Sequence, residues 1–62
     1  MKFDEARDLR IGEKVKTRNG DELEVYMLNE FISFDGKRTI FVKCKTENGG
    51  IMKFGHKQLI RL

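Results

Sequence analysis

Phe41, Lys43 and Lys45 stand at alternate positions in the run Arg38-Thr39-Ile40-Phe41-Val42-Lys43-Cys44-Lys45. A period of two puts these three on one face of a β-strand and Ile40, Val42 and Cys44 on the other. An aromatic ring flanked by ammonium groups can stack on a base while the cations meet phosphate. Lys53 joins this face if Glu47-Asn48-Gly49 forms a three-residue loop with Gly49 left-handed. Val42 then faces Phe54, Cys44 faces Met52, Lys45 faces Ile51, and Lys43 faces Lys53. Like charges directly opposite are destabilising, and such a local conflict is expected more at a binding site than elsewhere. The plain alternative is that the lysines only solvate the outer face.

No other set of side chains has catalytic or metal-ligand spacing. His56 has no Cys, Asp or Glu at ligand spacing and reads as an exposed histidine in a turn. Cys44 alternates with Ile40 and Val42 and reads as a small buried hydrophobe. Ser33 is the sole serine, and no Ser-His-Asp arrangement follows from it. Asp4, Glu5 and Asp8 read as a solvated helix face, and Gly49-Gly50 lacks the Gly-Lys-Ser/Thr of a phosphate loop. The expectation is a non-enzymatic protein without metal or cofactor.

The 62 residues leave room for one domain, with residues 1–10 as an N-terminal extension. Such a chain buries only about 60% of its unfolded surface. Thirteen Lys and Arg against ten Asp and Glu give a net charge of +3, which permits an anionic partner without demanding one. The lone Cys44 rules out an internal disulfide, the first residues lack a signal-peptide pattern, and no apolar run approaches a membrane span. The chain reads as cytoplasmic, with no membrane partner.

The clearest local structure is a hairpin, Glu13-Lys14-Val15-Lys16-Thr17 followed by Arg18-Asn19-Gly20 and Asp21-Glu22-Leu23-Glu24-Val25. A two-residue Asn-Gly loop would mix apolar and charged side chains on both faces. A three-residue loop with Gly20 left-handed sets Val15 opposite Leu23, Lys16 opposite Glu22 and Lys14 opposite Glu24. Lys14 and Lys16 thus have acidic partners, whereas Lys43, Lys45 and Lys53 have none in view.

Further strands are expected from about 22–28, continuing toward Phe34 with a bend near Asn29-Glu30, then 38–45, 51–54 and 59–62. A 3₁₀ turn is expected around 55–58, and a helical turn over 3–9 places Phe3 and Leu9 across one end of the sheet. The expected core is Val15, Leu23, Val25, Ile40, Val42, Met52, Phe54 and Leu59. A tight Asp35-Gly36 loop sets Phe31 against Ile40 and leaves Ile32 and Phe34 outside; the opposite register exposes Phe31 instead. Tyr26 also falls outside when Leu23 and Val25 point in. Tyr26, Ile32 and Phe34 are therefore the candidate protein-interface residues, and an outer apolar patch of this kind implies an oligomer or a protein partner.

Asp8-Leu9-Arg10-Ile11-Gly12-Glu13-Lys14-Val15 resembles the D-L-x-x-G-[DE]-x-V opening of SH3-like barrels. Phe54-Gly55-His56-Lys57-Gln58-Leu59-Ile60-Arg61-Leu62 resembles their strand, 3₁₀ turn and closing strand. The resemblance covers about residues 8–62 and implies an all-β, five-stranded small barrel. It does not imply one function, because the fold hosts ribosomal and transcription-factor modules, peptide readers and an enzyme.

Three functions compete. A nucleic-acid-binding module rests on Phe41, Lys43, Lys45 and Lys53. A protein-interaction adaptor or inhibitor, with a homo-oligomer as one form, rests on Tyr26, Ile32 and Phe34. The third is an enzyme: the chain is similar to the small plasmid-type dihydrofolate reductases in length, in its Gly-acid-x-Val opening and in its closing turn. Their Val-Gln-Ile-Tyr signature corresponds here to Ile51-Met52-Lys53-Phe54, which lacks the Gln and the Tyr. The expectation is the binding module, with nucleic acid ahead of protein.

Overall fold

One turn is used three times. Thr17-Arg18-Asn19-Gly20-Asp21, Ser33-Phe34-Asp35-Gly36-Lys37 and Thr46-Glu47-Asn48-Gly49-Gly50 each begin with a hydroxyl residue and carry Asn or Asp before a glycine. Gly20, Gly36 and Gly49 take φ of 95°, 84° and 80°, a region open to glycine at no steric cost. In each turn the glycine N–H donates to the carbonyl of the leading Ser or Thr at 3.0 Å, and the leading N–H donates to the fifth residue's carbonyl at 2.8–2.9 Å. The hydroxyls add a cross-strand bond: Asp21 N–H to Thr17 Oγ1 at 3.1 Å, Gly50 N–H to Thr46 Oγ1 at 3.1 Å, and Ser33 Oγ to the Lys37 carbonyl at 3.2 Å.

In a computed structural model describing residues 1–62, these turns join β1 (Lys14–Thr17), β2 (Glu22–Ile32), β3 (Arg38–Lys45) and β4 (Ile51–Gly55). A 3₁₀ turn, His56–Gln58, leads to β5 (Leu59–Arg61), and a short helix α1 (Phe3–Arg7) precedes β1. The protein is all-β, one antiparallel sheet of order β4-β3-β2-β1-β5. The ladder is open: β4 bonds only to β3 and β5 only to β1, so hydrogen bonding does not complete the expected barrel. No helix is long and apolar enough to cross a membrane.

Both charged hairpins have the expected registers. Lys14, Val15 and Lys16 face Glu24, Leu23 and Glu22. Val42, Lys43, Cys44 and Lys45 face Phe54, Lys53, Met52 and Ile51. The middle hairpin differs. Its loop is Phe34-Asp35-Gly36 and not the tighter Asp35-Gly36, so Phe31 faces Thr39 and Ile40 faces Glu30. Asp35 secures this loop by accepting from the Ser33 hydroxyl and, at 3.2 Å, from the Lys37 N–H. Those two bonds, the hydroxyl first, hold its carboxyl below the usual carboxylate range. The expected bend near Asn29 lies instead at Tyr26, where the register shifts between Val25 and Met27. A bulge there leaves both Tyr26 and Met27 on the outer side.

Ala6, Leu9, Val15, Leu23, Val25, Ile40, Val42, Cys44 and Leu59 form the core, with Phe3, Leu28 and Phe54 packed against it. α1 closes one end through Ala6 and the following Leu9, as the helical turn was expected to do. Two expectations fail. Met52 faces inward across from Cys44 but is 51% exposed. No strand covers β4 on its far side, so Met52 hangs over a cleft of about 340 Å³ that it shares with Thr17, Asp21, Leu23 and Phe54. His56 is buried rather than exposed. Its Nδ1 accepts the Ile40 N–H at 3.2 Å, taking the place of a strand just where β4 ends. Its ring also meets Phe3 edge-on, centroids 5.9 Å apart.

Candidate nucleic-acid interface

The outer face is laid out in rows by the β2–β3 and β3–β4 registers. Asn29, Phe41 and Gly55 make one row, Met27, Lys43 and Lys53 the next, and Glu24, Lys45 and Ile51 the third. Phe31 and Thr39 continue beyond Phe41. Phe31 and Phe41 lie with centroids 6.2 Å apart, and the Lys53 ammonium sits 5.1 Å from the Phe41 centroid. Gly55, directly opposite Phe41, places no side chain of its own beside the ring, which leaves that space to Lys53. Its φ of −74° needs no glycine, and a Cβ there would meet nothing nearer than Gln58 Oε1 at 3.7 Å.

Phe41, Lys43, Lys45 and Lys53 thus share one face, but they do not share one electrostatic setting. Lys43 and Lys53 form no ion pair; their row holds only Met27 besides, and the next row toward Phe31 holds Asn29, Phe41 and Gly55. Lys45 faces Glu24 across the β2–β3 ladder, a pairing that the sequence reading missed. Glu24 makes its ion pair with Lys14 at 3.7 Å, and the Lys45 ammonium lies 5.2 Å from the Tyr26 centroid. With Glu22, Glu24 and Glu47 lining the hollow beside it, Lys45 is the weakest of the three as a phosphate contact. Lys16 faces Glu22 without a close ion pair.

The candidate protein-interface residues separate. Tyr26 belongs to the lysine face through Lys45. Ile32 faces Arg38 in register with the core-facing side of the sheet and does not share a face with Phe41. Phe34 sits in the turn, fully exposed. Phe31 takes the place beside Phe41. The signal that would have found it is the Ser33-x-Asp35-Gly36 pattern, which matches the other two turns and fixes the register.

Burial raises the pKa of the Cys44 thiol, which suits a core side chain and not a nucleophile. No group of three or more His, Cys, Asp or Glu side chains is placed to hold a metal ion. Comparison of the chain with protein-family models, with curated proteins and with solved structures found no match.

Proposed function

We propose that this protein is a non-enzymatic binding module that takes single-stranded nucleic acid on its outer sheet face. Lys43 and Lys53 would contact phosphate, and Phe41 and Phe31 would stack on bases. The observation that carries this reading is the opposed Lys43–Lys53 pair beside exposed Phe31 and half-buried Phe41, in a row without a carboxylate. Opposed like charges cost about 0.2–1 kcal/mol, and a lysine over a partly exposed ring such as Phe41 returns about 0.5–1 kcal/mol. The face is therefore nearly neutral in energy when free and gains most when an anion arrives. Titration of single- and double-stranded DNA and RNA at two salt concentrations tests it, since phosphate contacts weaken steeply with ionic strength.

A second reading is a protein-interaction module, favoured by one observation: Phe34 is fully exposed at the tip of the β2–β3 hairpin, with Ile32 58% exposed beside it. Binding of that kind would tolerate salt and would be lost with Phe34→Ser. It would leave the lysine face unused.

A further inference from the structure

β2 outruns its neighbour. β1 pairs with β2 only from Glu22 to Glu24, and Val25 is the last β2 residue bonded on that side, through Gly12 and Glu13. Ser33 and Lys37 are a hydrogen-bonded pair, so by antiparallel alternation Phe31, Asn29 and Met27 bond to β3. Leu28, Glu30 and Ile32 therefore aim their N–H and C=O groups away from β3, toward an edge with no strand on it. No turn, cap or side-chain hydrogen bond reaches these groups.

The other two edges are guarded. β5 is three residues long, and β4 carries Lys53 and has its Gly55 N–H capped by Gln58 Oε1 at 2.8 Å. Short length, lysine and capping are the usual protections of a free edge. The Leu28–Ile32 edge has none of them. Its one charge, Glu30, is already paired with Arg38 at 3.3 Å, and Phe31, Ile32 and Phe34 are exposed beside it. An open backbone row calls for an extended strand.

We infer that this edge pairs antiparallel with the same edge of a second copy, about a twofold axis at Phe31. The register decides for a second copy. Centred on Phe31, the pairing sets Phe31 on Phe31 and Asn29 against Ser33 of the second copy, and it brings Leu28 up to Phe34 in the turn of that copy. Glu30 faces Ile32 of the second copy, so no like charges meet. Centred on Glu30 it would oppose two glutamates. One strand pair with these apolar side chains falls at the small end of specific interfaces, so the dimer should be concentration-dependent. The twofold puts both outer faces on one side of a continuous sheet. The inference stands without the nucleic-acid reading, because it is tested on the protein alone.

Sedimentation from about 1 μM to about 1 mM should show a reversible dimer. Glu30→Pro removes an N–H that points off the sheet, a position where an edge strand tolerates proline. It should keep the wild-type circular dichroism and remain monomeric across that range. Amide exchange on the wild type is the second readout and needs no variant. Glu30 and Ile32 should gain protection as concentration rises, while Asn29 and Phe31 are protected throughout. A monomer at the highest concentration overturns the inference. So does a dimer that leaves Glu30 and Ile32 unprotected, or one that a folded Glu30→Pro protein still forms.

Discussion

Lys43 and Lys53 stand directly opposite each other on the outer face of the β3–β4 ladder, and neither pairs with a carboxylate. Lys43→Glu turns this pair into an attractive one. The free protein should gain a few tenths of a kcal/mol, at most about 1 kcal/mol, and its urea midpoint should rise. A lower midpoint would show that Lys43 is already compensated.

Lys14 is the contrasting lysine, 3.7 Å from Glu24. Lys14→Glu opposes two carboxylates in the β1–β2 ladder and removes an exposed ion pair. It should cost about 0.5–1 kcal/mol. Denaturant unfolding of both variants checks that the two substitutions change stability in opposite directions.

Val42 is fully buried at the centre of β3, between Leu28 and Phe54. Val42→Ala should cost about 1–3 kcal/mol from lost burial and the cavity left behind. In a domain of this size each kcal/mol lowers Tm by roughly 4–8 °C. A change of only a few tenths would place Val42 outside the core.

His56 accepts the Ile40 N–H at Nδ1, so the buried ring is neutral with its proton on Nε2. Burial lowers its pKa below the ordinary 6.5, assisted by the charges of Lys57 and the Met1 ammonium. The unfolded chain then binds the proton more readily than the folded one. The stabilisation is fully present above 6.5 and declines as pH falls from there through the lowered folded value. Wild type should lose urea resistance between pH about 7.5 and about 5 to a greater extent than His56→Asn, which keeps an acceptor near the Ile40 amide but does not titrate. Equal losses would remove His56 as the titrating group.

Much of the fold was legible because its turns state their own register. The Arg18-Asn19-Gly20 and Glu47-Asn48-Gly49 loops, each tested against the sorting of apolar and charged residues, place Val15, Leu23, Val42 and Cys44 correctly. The third turn was left between two registers because Phe31, Ile32 and Phe34 offer no clean alternation to choose by; the one that exposes Phe31 holds, and the repeated Ser/Thr-x-Asn/Asp-Gly pattern is the guide that selects it. The Tyr26 bulge left no local signal, since no glycine marks it. His56 and Met52 were misplaced for a different reason. Met52 is exposed because the sheet does not close over it, and His56 is buried because α1 brings Phe3 against its ring; strand periodicity carries no information about either. At the candidate site the face of Phe41, Lys43, Lys45 and Lys53 was legible from spacing alone. The role of Glu24 beside Lys45 was not, because it depends on the β2–β3 register.

Phe41→Ala should weaken single-strand binding by roughly 1–3 kcal/mol if its ring stacks on a base. Fluorescence anisotropy of a labelled single strand and the circular dichroism of the free variant together check that the loss is one of contact and not of folding.

The most direct test compares Lys43→Glu and Lys14→Glu for affinity to a single-stranded oligonucleotide at about 50 mM and about 200 mM salt. Lys43→Glu should weaken binding and flatten its salt dependence, whereas Lys14→Glu, though less stable, should bind nearly as wild type when folded. Equal effects of the two substitutions, or no binding by the wild type at the lower salt, would contradict the nucleic-acid reading.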